Sequence, residues 1–497
     1  MSKIEIKNLT FGYGQQAKPI FNNVNLNIDT SWKFGLIGRN GRGKTTLLNL
    51  LQNKFEYHGT ITHQQNFVYF PQTITDKTQL TMYVLNELTN AEQWEIEREL
   101  NLLNVSPDVL WRSFDSLSGG EQTKVLLSIM FIEQDNFPLI DEPTNHLDIK
   151  GREQVAEYLR KKKQGFIVVS HDRSFIDSVV DHILSIEKSQ LLLFQGNFSV
   201  YEEQKNLRDQ SEQAENNKLK KDIGRLKQTA AEKAEWSRSR EGDKLGNPKV
   251  KGSGGIADTG AIGADSARAM KRSLNIVHRM QREITDKEKL LQDIEHIDEL
   301  SMSYEPNYHQ TLLEVRDLRL GYSNWLFNPI SFKVRQCECV ALVGPNGSGK
   351  STIIQKLLGN FIGQDEGKVN LVQNLRISYV RQNYEDNQGT LADFAAKNGL
   401  NYREFLNNLH KLGMEREVFT NKIELMSMGQ RKKVELAKSL SLPAEFYIWD
   451  EPLNYLDVFN QEQIEQLILA VKPTMLIVEH DQKLIENVAT KTINLAK

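Results

Sequence analysis

The sequence predicts an α/β protein built as a tandem duplication, with a pair of long helices inserted between the two copies. The first observation behind this is a repeat. Gln72, Ser118, Asp141, Asp148 and His171 recur as Gln382, Ser427, Asp450, Asp457 and His480, at offsets of 310, 309, 309, 309 and 309. Tyr13 recurs as Tyr322 at 309, and Gly38 as Gly344 at 306. Motifs that return in one order and nearly one register mark a duplicated domain. The second observation is that each copy runs from a short apolar strand through a glycine-rich loop into a helix, whereas the stretch between the copies keeps helical spacing throughout. The reading divides the chain into 1–205, 206–302 and 303–497, with a glycine-rich tip at about 241–265 in the middle segment.

Bulk numbers bound the rest. A chain of 497 residues is too long for one core. Its 39% hydrophobic and 26% charged residues are those of a globular protein in water. No run of 18 apolar residues offers a membrane span, and Met1-Ser-Lys-Ile-Glu-Ile-Lys lacks the apolar centre of a signal peptide. A cytoplasmic protein without a membrane partner is expected. Cys337 and Cys339, read as lying two apart in one strand, supply too few ligands for a zinc or iron–sulfur site and fit a reducing compartment.

In the first copy, Lys33-Phe-Gly-Leu-Ile-Gly38 reads as an apolar strand running into Gly38-Arg-Asn-Gly-Arg-Gly-Lys-Thr45 and then a helix. That is the context of a phosphate-binding loop: glycines turn backbone N–H groups toward phosphate, and the helix N-terminus adds its positive end. Candidate nucleotide contacts are Gly38, Asn40, Gly41, Gly43, Lys44, Thr45 and Thr46, and in the second copy Gly344, Asn346, Gly347, Gly349, Lys350, Ser351 and Thr352. Lys44 and Lys350 are assigned to the β- and γ-phosphates, and the Thr45 and Ser351 hydroxyls to Mg²⁺.

Two further strands end in paired acids, at Asp141-Glu142 and Asp450-Glu451. The first acid of each pair belongs near the metal; the second, Glu142 or Glu451, is the candidate general base that polarises an attacking water. Each pair is followed by Pro-x-Asn-x-Leu-Asp and then by a strand ending in His171 or His480. These histidines are placed to touch the γ-phosphate. Gln72 and Gln382 end strands within reach of Mg²⁺ or water. The Mg²⁺ set is therefore Thr45, Gln72, Asp141, Ser351, Gln382 and Asp450. Tyr13 and Tyr322, 25 and 22 residues before their loops, either stack on adenine or pack in the core.

Leu117-Ser-Gly-Gly-Glu121 opens a helical run. Ser118, Gly119 and Gly120 form a helix cap with free N–H groups, and the motif is the signature of the ATP-binding cassette superfamily. In that superfamily a nucleotide lies between the P-loop of one cassette and the signature of the other. Two ATP molecules per chain, and a monomer, are expected. The second copy departs from the pattern: Met426-Ser-Met-Gly-Gln430 keeps Ser427 and Gly429 but puts Met428 where the first copy has Gly119.

In the middle segment, Leu219, Ile223, Leu226 and Ala230 recur at steps of three or four. On the return, Val277, Ile284 and Leu291 repeat every seven, with Met280 and Ile294 between them. Two such limbs pair as an antiparallel coiled coil, each spanning roughly 50 Å. From Lys218 to Arg282 there are 16 Lys and Arg against 7 Asp and Glu, on a chain whose net charge is −3. A basic rod on an acidic protein points to a polyanionic partner.

Twin cassettes, no membrane span and a helical insert between the copies resemble the ABC-F family along essentially the whole chain. The stretches Pro143-Thr-Asn-His-Leu-Asp148 and Pro452-Leu-Asn-Tyr-Leu-Asp457 are similar to its pattern. The long insert with its glycine-rich tip resembles the antibiotic-resistance class, and most of all the Lsa-type proteins. The resemblance implies an ATPase that binds the ribosomal E site and contacts ribosomal RNA and P-site tRNA. Its linker tip would reach toward the peptidyl-transferase centre and displace lincosamides, streptogramin A or pleuromutilins. A housekeeping ABC-F translation factor is the nearest alternative. The stretch of about 45 residues between Gln72 and Ser118, short for an arm, and the end of the chain soon after His480 weigh against it. The ATPase subunit of a drug exporter is a weaker alternative, since an exporter has no use for a long basic hairpin.

Overall fold

The structure, a computed structural model, describes residues 3–14, 19–145, 147–243, 271, 275–276, 278–280, 282–285 and 298–495, with the side chains of 233–243 left out. By internal contacts the chain forms two compact units. One is Met1–Tyr201 together with Ile297–Lys497; the other is Glu202–His296.

The first unit holds both repeats. In the first, β1 (Lys3–Phe11), β2 (Phe21–Asp29) and β4 (His58–Thr62) form an antiparallel sheet in the order β2-β1-β4. A six-stranded sheet follows, in the order β5-β6-β7-β3-β8-β9. Its strands are β3 (Lys33–Ile37), β5 (Asn66–Phe70), β6 (Asn136–Asp141), β7 (Phe166–Val169), β8 (His182–Glu187) and β9 (Gln190–Gln195). All of its ladders are parallel except the last. The strands β6 and β7 are almost wholly buried, which is why they read as continuous apolar runs rather than alternating ones. Residues Phe34, Leu36, Phe137, Leu139 and Ile167 pack on Leu47, Leu48, Leu50 and Leu51 of α1 (Lys44–Leu51), so the helix after the P-loop is anchored to the sheet. Between Gln72 and Ser118 lie α2 (Thr81–Leu88) and α3 (Gln93–Leu102).

The second repeat rebuilds this plan. A three-stranded sheet has β10 (Thr311–Gly321) between β11 (Ile330–Arg335) and β13 (Gln364–Leu371). A five-stranded parallel sheet runs β14-β15-β16-β12-β17 through β12 (Cys339–Val343), β14 (Ile377–Val380), β15 (Phe446–Asp450), β16 (Met475–Val478) and β17 (Lys491–Asn494). The sequence reading of the cysteines is corrected here. Cys337 is exposed in the turn before β12, with φ 61, and only Cys339 lies in the strand, so the two do not share a strand face.

The two repeats touch within this unit. Phe459 and Val458 of the second join the core of the first, and the Arg39 guanidinium lies 5.7 Å from the Phe459 ring centroid.

The helix α7, Phe198–Asp243, is 46 residues long; its first four residues belong to the first unit and the rest to the second. Ile223 and Ala230 are buried on it, and Leu219 and Leu226 are partly buried, so the three-and-four spacing does mark an inward face. Ile284 is buried as well. Of the expected tip, 244–265 lies outside the described residues, as do Val277, Leu291 and Ile294. No helix among the described residues is long and apolar enough to cross a membrane.

Candidate functional site

Each P-loop closes on a left-handed glycine. Gly43 (φ 99) and Gly349 (φ 95) immediately precede α1 and α8 (Lys350–Leu357). A Cβ on Gly43 would stand 2.5 Å from the Ile20 side chain, so only glycine fits the turn that aims the helix N-terminus. Lys44 Nζ donates to the Gly38 carbonyl at 2.7 Å and to Asn40 Oδ1 at 3.2 Å; Lys350 Nζ donates to the Gly344 and Pro345 carbonyls at 2.8 and 2.9 Å. Burial lowers both lysines, against the pull of the nearby carboxylates.

Two acids stand at the mouth of each loop. Thr45 Oγ1 and the Tyr69 hydroxyl both donate to Asp141 Oδ2, at 3.0 and 2.9 Å. Burial raises Asp141, and it pushes Asp450 up to about 6, although the Ser351 hydroxyl pulls the latter down. Asp450 Oδ1 is buried without a hydrogen-bond partner. A hydroxyl beside a carboxylate with an oxygen to spare is the donor set of a hard divalent cation.

Glu142 and Glu451 leave their strands in the left-handed region, at φ 54 and φ 48, a strained conformation for glutamate. Their surroundings differ. His171 Nε2 lies 3.2 Å from Glu142 Oε1, an oxygen that has no well-formed hydrogen bond. Burial, then Asp141, pushes Glu142 up to about 8, while burial and Lys44 push His171 down to about 3. Glu451 instead accepts from Gln382 Nε2 at 3.0 Å and Asn454 Nδ2 at 2.6 Å, with His480 Nε2 at 3.7 Å. Burial pushes against ionisation, but His480, Gln382 and Lys350 hold Glu451 down at about 2. Burial thus favours the neutral form of Glu142, whereas its partners favour the ionised form of Glu451.

The glutamines diverge too. Gln382 reaches Glu451, whereas Gln72 turns away from the acids: its amide donates to the Leu126 carbonyl at 3.4 Å and lies 2.9 Å from Met130 Sδ. Tyr13 and Tyr322 are more than half exposed, so neither is core packing. Tyr13 meets Thr46 Oγ1 at 3.0 Å, and Tyr322 sits edge-on to Phe361.

The signatures behave as caps. Ser118 Oγ accepts from the Glu121 N–H at 3.3 Å while Glu121 reaches back to the Ser118 N–H at 2.8 Å, at the start of α4 (Gly119–Ser128). Ser427 and Gln430 repeat this capping box at the start of α11 (Met428–Ser441). The repeats also meet across the site. The Asn40 N–H donates to Asp457 Oδ2 at 2.7 Å, and Asn40 Nδ2 donates to the Tyr455 carbonyl at 3.0 Å. A Cβ on Gly429 would stand 2.9 Å from that carbonyl and 3.3 Å from Asn40 Nδ2, which puts the second signature against the first P-loop. The first P-loop and the second signature make what we call site 1.

Site 2 has the opposite composition. A cavity of about 740 Å³ is lined by Tyr322, Lys350, Gln382, Glu451 and His480 from the second repeat and by Asn145 and Arg152 from the first. A neighbouring one of about 710 Å³ joins Ser118, Gly119, Gly120 and Asp148 to Asn346. Sequence reasoning did not single out Tyr69, Asn454 or Arg152. Asn454 stands inside the quoted Pro452–Asp457 stretch; the other two carry no motif, and only the fold brings them in.

The ABC transporter family model matches residues 21–145 and 327–454. Over 488 residues the chain is 29% identical to the ribosome protection protein VmlR of Bacillus subtilis, covering 97% of this chain and 85% of that one. It is 28% identical over 491 residues to the erythromycin resistance ATP-binding protein MsrA of Staphylococcus epidermidis, covering 94% and 93%. The archaeal ribosome recycling factor aABCE1, solved with the stalk protein aP1, shares the fold, with a TM-score of 0.62 at 19% identity over 98% of this chain and 87% of that one. A match over half the chain, with P-loops, acid pairs and signatures in place twice, makes this protein a member of the ABC transporter ATPase family with two ATP-binding domains, and its relatives point to the ABC-F branch.

Proposed function

We propose that the chain is an ATP-driven ribosome protection factor. The observation that carries the reading is the inserted unit. Two ATPase repeats are separated by a segment that begins with a 46-residue helix and holds 16 Lys and Arg against 7 Asp and Glu between Lys218 and Arg282, and a relative aligned along nearly the whole chain is named for ribosome protection. A basic rod binds RNA through phosphates and shape, with little sequence readout. On this reading ATP closes the two repeats on each other, the inserted unit occupies the ribosomal E site, and its tip, about 241–265, reaches toward the peptidyl-transferase centre. There it reshapes ribosomal RNA or moves the P-site tRNA, and lincosamides, streptogramin A or pleuromutilins leave.

The residues take the following roles. Lys44 and Lys350 hold the β- and γ-phosphates. Mg²⁺, which fits the oxygen donors described above, would be held by Thr45 and Asp141 in site 1 and by Ser351, Asp450 and Gln382 in site 2, and would neutralise phosphate charge there. Glu451, whose partners favour its ionised form, takes a proton from the attacking water in site 2; Glu142 takes that role in site 1 only in its ionised form, which burial disfavours. His171 and His480 position those glutamates and sense the γ-phosphate. Ser118, Gly120, Ser427 and Gly429 cap the nucleotide from the opposite repeat.

Co-sedimentation of the Glu142→Gln/Glu451→Gln chain with ribosomes tests this. ATP-dependent pelleting that weakens across a salt series is expected, together with relief of drug-inhibited translation by the unmodified chain. No ribosome binding under any nucleotide would remove the reading. Binding without relief from any of the three drug classes would leave the translation factor.

A further inference from the structure

Asp172 follows His171 of site 1. It caps α6 (Arg173–Val179) by accepting from the Phe175 N–H at 2.9 Å, and its other oxygen accepts from Arg152 Nη1 at 2.8 Å. Arg152 Nε donates to the Leu147 carbonyl at 3.2 Å, one residue before Asp148. The same Arg152 lines the site 2 cavity. One guanidinium thus joins the loop that faces site 2, the site 2 cavity and the residue beside the site 1 histidine. The next residue, Arg173, is 2% exposed and crosses to the second repeat. Its Nη2 meets Glu465 Oε2 at 2.8 Å, and Glu465 Oε1 accepts from Asn487 Nδ2 at 2.5 Å. Asp481, beside His480, feels the charges of Arg173, Asp172 and Arg152.

The duplication supplies an internal comparison. At the offset of 309, Arg152 corresponds to Gln461, Arg173 to Gln482 and Glu465 to Ala156. Gln461 keeps the loop contact, donating to the Leu456 carbonyl at 3.4 Å, but brings no charge toward Asp481. The charged chain exists on one side of the pseudo-twofold only. A guanidinium held between two fixed acceptors moves with them as a unit, and a nucleotide in the site 2 cavity places negative charge beside it.

We propose that Arg152 and the Arg173–Glu465 pair are positioning residues that couple His171 of site 1 to the nucleotide in site 2, so that filling site 2 slows release of ATP from site 1. The equivalent link from His480 to site 1 is absent, because Gln461, Gln482 and Ala156 stand at the corresponding positions, so this coupling runs through one set of charges only. The proposal concerns the isolated ATPase and stands or falls apart from the ribosome reading.

The test uses the full chain carrying Glu142→Gln, which retains ATP in site 1, loaded with radiolabelled ATP and chased. Its release rate is compared with that of the same chain carrying Lys350→Ala, which empties site 2. An occupied site 2 is expected to slow release by about fivefold or more, the lower range of measured site-to-site coupling. Arg152→Gln, which installs the second repeat's residue, is expected to bring that ratio close to one, and Arg152→Lys to recover part of it. Glu465→Ala, which touches neither cavity, is expected to act like Arg152→Gln. A ratio near one in the starting chain, or a ratio that survives both Arg152→Gln and Glu465→Ala, would overturn the proposal. So would equal loss in Gln461→Ala, whose side chain bonds the Leu456 carbonyl and carries no charge.

Discussion

The main-chain N–H of Asn40 donates to Asp457 Oδ2 at 2.7 Å, although the two residues are 417 positions apart. The other Asp457 oxygen accepts from the Asn460 N–H at 2.9 Å, so one carboxylate caps a helix of the second repeat (Val458–Val471) and a P-loop of the first. Burial pushes against its ionisation, but Lys433, Lys44 and the two N–H donors hold it below the usual carboxylate range. Asp457→Ala removes a cap worth about 1 kcal/mol and a charge-assisted hydrogen bond worth about 1.5–3 kcal/mol. The expected outcome is a lower Tm and a drop in ATP turnover of roughly tenfold or more, one decade per 1.4 kcal/mol. Asp457→Asn, which keeps one acceptor, is expected to fall between. Thermal melts and steady-state ATPase assays on the three chains check this.

Glu142→Gln and Glu451→Gln separate the two sites. Loss of a general base costs about 10²–10⁴ in rate, and Glu451 is the glutamate held ionised by its partners. Single-turnover hydrolysis is therefore expected to lose most of its fast phase in Glu451→Gln and less in Glu142→Gln, whose carboxyl group burial pushes toward the neutral form. Equal losses in the two single variants would sink the asymmetry.

Much of this was legible in the sequence because the chemistry lies in contiguous motifs. Lys33 to Leu51 reads as strand, loop and helix, and folds as β3, the P-loop and α1. Ser118 reads as a helix cap and forms a capping box, and Ser427 at the matching position of the second copy forms one too. What stayed hidden depends on which residues meet at long range. Gln72 and Gln382 occupy one motif position, yet the neighbouring Met130 sulfur and Leu126 carbonyl engage the first while Glu451 engages the second. The Arg173–Glu465 pair joins residues 292 positions apart with no motif at either end. The cysteine reading failed because Cys337 turns left-handed before the strand begins, which a two-residue spacing cannot reveal.

The nucleotide-free chain carries a pH signature at site 1. Glu142 stands at about 8 in the fold against an ordinary 4.5, through burial and Asp141. A carboxyl raised in this way contributes stability that is fully present below the ordinary value and is lost as pH rises toward the folded one. Glu142→Gln is neutral at every pH and escapes that loss. The Tm of the variant minus that of the unmodified chain is therefore expected to grow between pH 5 and pH 8, by a few degrees for each ~1 kcal/mol. His171, depressed to about 3, works in the opposite direction, costing stability as pH falls below its ordinary 6.5. Melts at pH 5, 6.5 and 8 without nucleotide decide the matter; a flat difference would mean that Glu142 ionises freely in the fold.

The second signature tests whether shape or sequence matters more at site 1. Met428 is 44% exposed at the first position of α11, so its side chain has room, whereas the neighbouring Gly429 has a backbone carbonyl 2.9 Å from where a Cβ would sit. A backbone atom cannot swing aside as a side chain does, and that carbonyl belongs to Tyr455, which accepts from Asn40 of the first P-loop. Gly429→Ala therefore pushes the Tyr455 loop and the P-loop apart. ATP retention at site 1 is expected to fall by about tenfold or more, the effect of roughly 1.4 kcal/mol. Met428→Gly, which restores the residue found in the first copy, trims a half-exposed side chain at the cavity wall and is expected to leave retention within about twofold, as surface substitutions usually do. Radiolabelled ATP trapped in the Glu142→Gln background reads both. If Met428→Gly changed retention more than Gly429→Ala did, the methionine itself would be a nucleotide contact and the tight approach at Gly429 would be incidental.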